Sequence, residues 1–215
     1  MEGDEEMSAL AHEAWLVAHA PPREAVVFPA GGPSGFTVDD WLKLPEIHQR
    51  IELIDGSFVV SPSATSLHAL CAGGLRNILN AAARAAGSDL AVIEAFNIEV
   101  VGDGFIPDVV VLPRPLVLAN MTVVAASEVA AVAEVVSAGP GNHKRDYQDK
   151  PPKYAAAGIP VFIRVEIEGA DFPRVEVLEL GADGYETVTQ AKPGETVTLS
   201  EPFPVSFDPA DLLHS

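Results

Sequence analysis

A chain of 215 residues is long enough for one layered core and does not require a second, and a hydrophobic content of 48% excludes disorder for most of it. The single cysteine, Cys71, excludes an internal disulfide framework and fits a reducing compartment. The acidic amino terminus lacks the apolar core of a secretory signal, and no run of about 18 uncharged apolar residues is present to span a membrane, so the chain reads as soluble and cytoplasmic. The formal charge of −18, from 31 acidic and 13 basic residues, argues against a broadly basic nucleic-acid-binding surface.

Residues 1–35 are rich in proline and glycine towards their end (PPREAVVFPAGGPSG) and read as a partly flexible extension, helical near Ala9–Ala18, ahead of a single domain over 36–215. Thr37-Val38-Asp39-Asp40 caps a short helix carrying Trp41. Residues 51–60 form a hairpin, with Asp55-Gly56 supplying its tight turn. From Ala64 to Ala86 the apolar residues recur at helical spacing. Leu90–Val101 alternates as a strand, Ile106–Leu112 is a second strand, and Val117–Val124 reads as loop plus a short element.

Ala131–Val136 is an apolar strand interrupted by Glu134. A helix over Tyr147–Ala157 follows, with Pro151 and Pro152 tolerated in its first turn and Gly158 and Pro160 marking its end. Strands at 161–167, 175–180, 185–190 and 196–199 close the chain as an antiparallel C-terminal extension. This order predicts a mixed α/β (α+β) domain, with helices flanking one central mixed sheet.

Glu134 is the most informative residue, because a charge inside a buried strand is unfavourable unless it is paired or bound to a metal. Asp108 places a second carboxylate at the mouth of another apolar strand. Phosphodiester hydrolysis needs a cation to stabilise developing charge and to activate water, and Mg²⁺ takes oxygen ligands, including one or two carboxylates. Asp108, Glu134 and the Val135 carbonyl meet that demand if their strands are neighbours. Lys150 can orient the water or neutralise the phosphate, and Glu52 can complete the ligand set or hold the lysine. Each also has a plainer reading: Asp108 as a turn residue, Glu134 on an edge strand facing water, Lys150 as a solvated helix-start lysine, and Glu52 pointing outward from a hairpin. Lys144, Arg145, Lys150 and Lys153 form a local basic island in an acidic chain, and a local patch can still steer a polyanion.

Five motifs occur in a telling order: Glu-Leu-Ile-Asp-Gly at 52–56, Ser-Pro-Ser with a following histidine at 61–68, Ile-Pro-Asp-Val at 106–109, Glu-Val-Val-Ser at 134–137, and Asp-Lys-Pro-Pro-Lys-Tyr-Ala-Ala-Ala-Gly-Ile-Pro at 149–160. Together they resemble the Uma-two family of restriction endonucleases, a bacterial branch of the PD-(D/E)XK nuclease superfamily, over about Phe36 to Leu213. The resemblance implies a restriction-endonuclease-like core. It also implies a Mg²⁺- or Mn²⁺-dependent endonuclease that cuts DNA with Asp108 and Glu134 as metal carboxylates and Glu52 as the amino-terminal acid.

The superfamily lysine belongs two residues after the strand glutamate. That position is Val136 here, and the family's displaced lysine matches Lys150. Asp146, Tyr154 and His68 match supporting positions, while Lys144, Arg145 and Lys153 are the candidate nucleic-acid contacts. In place of the arginines that family members often carry after the strand serine, this chain has Ala-Gly-Pro-Gly-Asn-His. Two other readings stay open. One is a nuclease-fold module that binds a protein partner; the other is a hydrolase of small phosphate esters. A symmetric homodimer is the default assembly for a chain of this size.

Overall fold

The structure, a computed structural model, describes residues 26–29, 35–44, 50–136 and 139–214. The helix expected near Ala9–Ala18 lies outside them. The described strands build two six-stranded sheets and one two-stranded sheet. The first sheet contains β1 (Val26–Pro29), β2 (Arg50–Ile54), β3 (Ser57–Ser61), β5 (Ile98–Val100), β6 (Asp103–Phe105) and β8 (Val124–Ala125), in the order β1-β3-β2-β6-β5-β8. The second is the central mixed sheet, with β4 (Leu90–Glu94), β7 (Val109–Pro113), β9 (Ala131–Val136), β10 (Val161–Glu166), β11 (Arg174–Gly181) and β12 (Gly184–Ala191). Its order is β12-β11-β10-β9-β7-β4, and β9 with β10 is its parallel pair. The small antiparallel sheet of β13 (Val197–Leu199) and β14 (Val205–Phe207) lies near the C-terminus.

Strands β9 and β10 are buried along their whole length, which is why they read as continuous apolar runs and not as alternating ones. One face of the sheet, with Val109, Val111, Ala133, Val135 and Ile163, packs on a helix, α2 (Ser66–Ala85), through Cys71, Leu75 and Leu79. Thr65 caps that helix by accepting from the His68 amide. On the other face Val110, Val132 and Phe162 meet Ile98 and Phe105 of the first sheet, together with Tyr154. Glu134 follows Val132 by two residues and so belongs to this second face. None of the described helices is long and apolar enough to cross a membrane.

Several elements differ in detail from their sequence pattern. The strand expected over Leu90–Val101 is two strands in different sheets, because Ala95 adopts a left-handed conformation (φ 49°) and breaks the run. The hairpin β2–β3 turns at Asp55 and Gly56, both at positive φ (49° and 70°), as its sequence requires. Its strand β2 joins β6, so the hairpin belongs to the first sheet and not to the central one. Residues 26–29, within the stretch read as an extension, add the edge strand β1 beside β3.

A short helix, α3 (Arg114–Leu118), precedes β8 in the ambiguous stretch around 117–124. The helix expected over Tyr147–Ala157 begins earlier. It runs from α4 (Pro140–Lys144) through a π turn (Arg145–Asp149) into α5 (Lys150–Ala156). Pro151 and Pro152 therefore sit inside a longer helical run, where their missing N–H groups interrupt the ordinary hydrogen-bond ladder beside the π turn.

Another helix, α1 (Val38–Leu42), sets the first sheet in place: Trp41 is buried, and its indole N–H donates to the Ile51 carbonyl at 2.7 Å. Gly104 leaves the room for that ring, since a Cβ there would fall onto the Trp41 indole. Gly104→Ala should therefore destabilise the protein by about 1–3 kcal/mol through overpacking, read as a lower urea midpoint with unchanged slope.

Candidate active site

Four separate elements deliver the candidate residues to one cavity of about 390 Å³. β2 carries Glu52, Asp108 immediately precedes β7, β9 carries Glu134, and α5 opens with Lys150; all four are buried. Lys150 is the hub. Its Nζ lies 2.9 Å from Glu134 Oε1, 3.1 Å from Glu52 Oε1 and 3.7 Å from Asp146 Oδ1. Tyr154, one turn further along α5, donates its hydroxyl to Glu134 Oε1 at 2.5 Å. Glu52 Oε1 also accepts from the Ile106 amide at 3.0 Å.

Asp108 is held differently. Its Oδ2 accepts from the Val135 amide at 2.7 Å and faces His68 Nε2 at 3.3 Å. Its Oδ1 takes Arg50 Nη1 at 2.5 Å. The N–H and C=O of one strand residue point to the same edge, so the Val135 carbonyl shares the edge on which its amide meets Asp108. Val135 itself lines the cavity.

These contacts decide the charge states. Burial would raise the Asp108 carboxyl, but Arg50 and His68 outweigh it and hold it well below the usual range. Glu52 is lowered for the same kind of reason, with Lys150 and Arg50 overcoming its burial. Burial opposes the charge on Lys150, yet Glu134, Glu52 and Asp146 keep the ammonium protonated. Burial would lower His68, but its bond to Asp108 raises it. Glu134 is pushed up to about 7: burial dominates, Lys150 opposes it, and Asp108, Asp146 and Glu52 add repulsion. Asp146 is raised by burial, again against Lys150.

Two sets of contacts thus meet at one cavity: Lys150 with Glu52, Glu134 and Asp146, Glu134 also taking Tyr154, and Asp108 with Arg50, His68 and the Val135 amide. The expected nucleic-acid contacts do not all join it. Arg145 lines the cavity and donates from Nη2 to Asn142 Oδ1 at 2.8 Å. Lys144 is exposed and paired with Asp149 at 3.0 Å. Lys153 is bound to Asp55 at 2.6 Å and also to Asp103, at the turn of the hairpin. Arg50 is the site residue that the sequence reading overlooked. The signal was there in Arg50-Ile51-Glu52, since period-two alternation puts Arg50 on the same face as Glu52.

Among the described residues no three His, Cys, Asp or Glu side chains form a ready-made metal shell. A hard cation such as Mg²⁺ does not need one: two carboxylates and a carbonyl suffice, with water and phosphate filling the remaining positions. Asp108, Glu134 and the Val135 carbonyl supply oxygen donors of that type. The cavity's four carboxylates, from Glu52, Asp108, Glu134 and Asp146, already face Lys150, Arg50, Arg145 and the His68 imidazole. A divalent cation therefore fits the donors once a resident positive charge gives way.

The fold is shared with a solved protein from Anabaena variabilis ATCC 29413, described as a "putative nuclease belonging to DUF820". The two superpose with a TM-score of 0.65 at 16% identity, over 83% of this chain and 98% of that one. The Uma2 family, described as "Putative restriction endonuclease", matches residues 38–212, and the chain belongs to it. No curated protein matches the chain.

The raised Glu134 has a measurable consequence for stability. Between about pH 4.5 and 7 the folded protein holds a proton that the unfolded chain has released, so stability falls as pH rises through that window. Glu134→Gln should therefore flatten that dependence, so that its stability relative to the wild type rises from pH 5 to above pH 7. Urea unfolding of both proteins at the two pH values would read this out.

Proposed function

We propose that the protein is a metal-dependent endonuclease that hydrolyses DNA phosphodiester bonds. The observation that carries this reading is the convergence of Glu52, Asp108, Glu134 and Lys150 from four elements on one cavity, in a chain of a restriction-endonuclease family. Asp108, Glu134 and the Val135 carbonyl would hold Mg²⁺ or Mn²⁺. When bound, the cation supplies charge stabilisation at the phosphate and a more acidic water.

The chain's own groups do the rest. Lys150 places a fixed positive charge beside the metal carboxylate, where it can orient the attacking water and offset charge developing on the phosphate. Glu52 and Asp146 hold the ammonium in position, and Tyr154 fixes the Glu134 carboxylate. His68, on α2, steadies Asp108. Arg145 at the cavity wall and Lys144 on the exposed helix face are the groups that meet the DNA backbone, and salt should weaken their grip. Lys153, tied to Asp55 and Asp103, contributes mainly by fixing the hairpin. The lone buried Cys71 fits a cytoplasmic protein, and a two-fold homodimer is the assembly we propose.

A second reading rests on a separate observation. The charge of −18 and the internal pairing of Lys144, Lys150 and Lys153 leave few free cations for a polyanion, which favours a module that keeps the fold and binds a protein partner.

Incubation of the purified chain with supercoiled plasmid and with single-stranded DNA separates the two. With Mg²⁺ or Mn²⁺ the wild type should nick or linearise its substrate, and a chelator should stop it. Asp108→Ala and Glu134→Gln should cut at least about 100-fold more slowly. DNA left intact by the wild type under all these conditions would favour the partner-binding module.

A further inference from the structure

Arg50 occupies the oxygen that a metal at Asp108 would need. Asp108 Oδ2 is engaged by the Val135 amide and faces His68, so Oδ1 is the oxygen left for an ion, and Arg50 Nη1 sits on it at 2.5 Å. The contact is single. Arg50 Nε and Nη2 are covered from solvent and have no hydrogen-bond partner among the described residues. These two nitrogens share one edge of the guanidinium, the edge that gives an arginine two parallel hydrogen bonds when it serves as a permanent bridge to a carboxylate or phosphate. Leaving two buried donors unsatisfied is unfavourable, and such groups in a folded protein call for an explanation.

The other cations of the cavity are placed otherwise. Lys150 is held by three carboxylates and cannot leave without stranding them. Arg145 bonds to Asn142 and makes no ion pair with Asp108. The Arg50 side chain is about a quarter exposed, at 26%, while its partner Asp108 is 4% exposed. Arg50 is therefore the cation on the oxygen left for an ion, and its side chain is less enclosed than those of Lys150 and His68.

We propose that Arg50 is a displaceable counter-ion: it neutralises Asp108 in the metal-free protein and competes with a divalent cation for Asp108 Oδ1. This rests on the reading of Asp108 as a metal ligand given above. Removing Arg50 ends both the competition and the repulsion between two cations at one carboxylate. Metal affinity should rise on its loss, whereas an arginine with a merely structural role would, when removed, leave the site looser and the metal weaker.

Calorimetric titration of the full chain with Mn²⁺ near neutral pH tests this in the wild type, Arg50→Met, Arg145→Met and Asp108→Asn. Arg50→Met should bind Mn²⁺ about tenfold more tightly than the wild type or better, and Arg145→Met, which removes a charge from the same cavity without touching Asp108, should shift affinity much less. Asp108→Asn should lose the site. Arg50→Met binding no more tightly than the wild type, or Arg145→Met tightening it equally, overturns the proposal while leaving Asp108 as a ligand. Absence of any Asp108-dependent binding in both the wild type and Arg50→Met, with and without a short oligonucleotide, removes the metal reading of the site itself. If Arg50→Met does not fold without metal, thermal unfolding in MnCl₂ gives the answer: a fold restored by Mn²⁺ supports the proposal, and a chain still unfolded in excess Mn²⁺ overturns it.

Discussion

The burial of one ammonium group among three carboxylates is the constraint on which the rest of the molecule depends. Lys150 is almost fully buried, and its partners Glu52, Glu134 and Asp146 arrive from the first sheet, the central sheet and the π turn. Charges in such a setting are stable only together. Removing one partner from a buried pair commonly costs about 3–5 kcal/mol, because the other is left unpaired. Every element that meets at the cavity is therefore held to its position by charge as well as by apolar packing. The apolar faces around Phe105, Tyr154 and Phe162 keep water away from this cluster and so sharpen both attraction and repulsion within it.

That same clustering explains how an acidic protein can still present local positive charge at a cavity. The acidic excess is a property of the whole chain, whereas the cavity wall carries Arg50, Arg145 and Lys150 against its four carboxylates. Net charge governs solubility and long-range encounter, and the local arrangement governs what is bound. The basic island in the sequence is spread by the helical run into distinct places: Lys150 inward, Arg145 at the cavity, Lys144 outward with Asp149, and Lys153 on the hairpin turn.

Much of this was legible in the sequence, for physical reasons. A glutamate within a strand of Ala133 and Val135 had to be paired or bound, and it is paired, to Lys150 and Tyr154. The hairpin, α2 and the strands β7, β9 and β10 followed from turn chemistry and apolar periodicity. What escaped was the product of backbone geometry and long-range contact. Alternation across Leu90–Val101 carries no sign of the left-handed Ala95 that divides it between two sheets. Gly139, Pro140 and Gly141 are turn-forming residue types, yet Gly139 and Pro140 open a helical run there. Arg50 was overlooked because an arginine on a hairpin strand ordinarily faces solvent, and its partner Asp108 lies 58 residues away.

The tie between Lys153 and the hairpin has a mechanical meaning. Within the first sheet, β2 meets β6 through the single register pair Leu53–Gly104, reinforced by the Asp55 amide on Asp103 Oδ1 and the Ile106 amide on Glu52 Oε1. Helix α5 grips the hairpin at two points, Lys150 on Glu52 and Lys153 on Asp55, using side chains one helical turn apart. Two-point attachment suppresses pivoting as well as sliding. The carboxylate of Glu52 thus takes its position from α5 as well as from the Ile106 amide next to β6, and α5 acts as a splint across the seam between the two sheets.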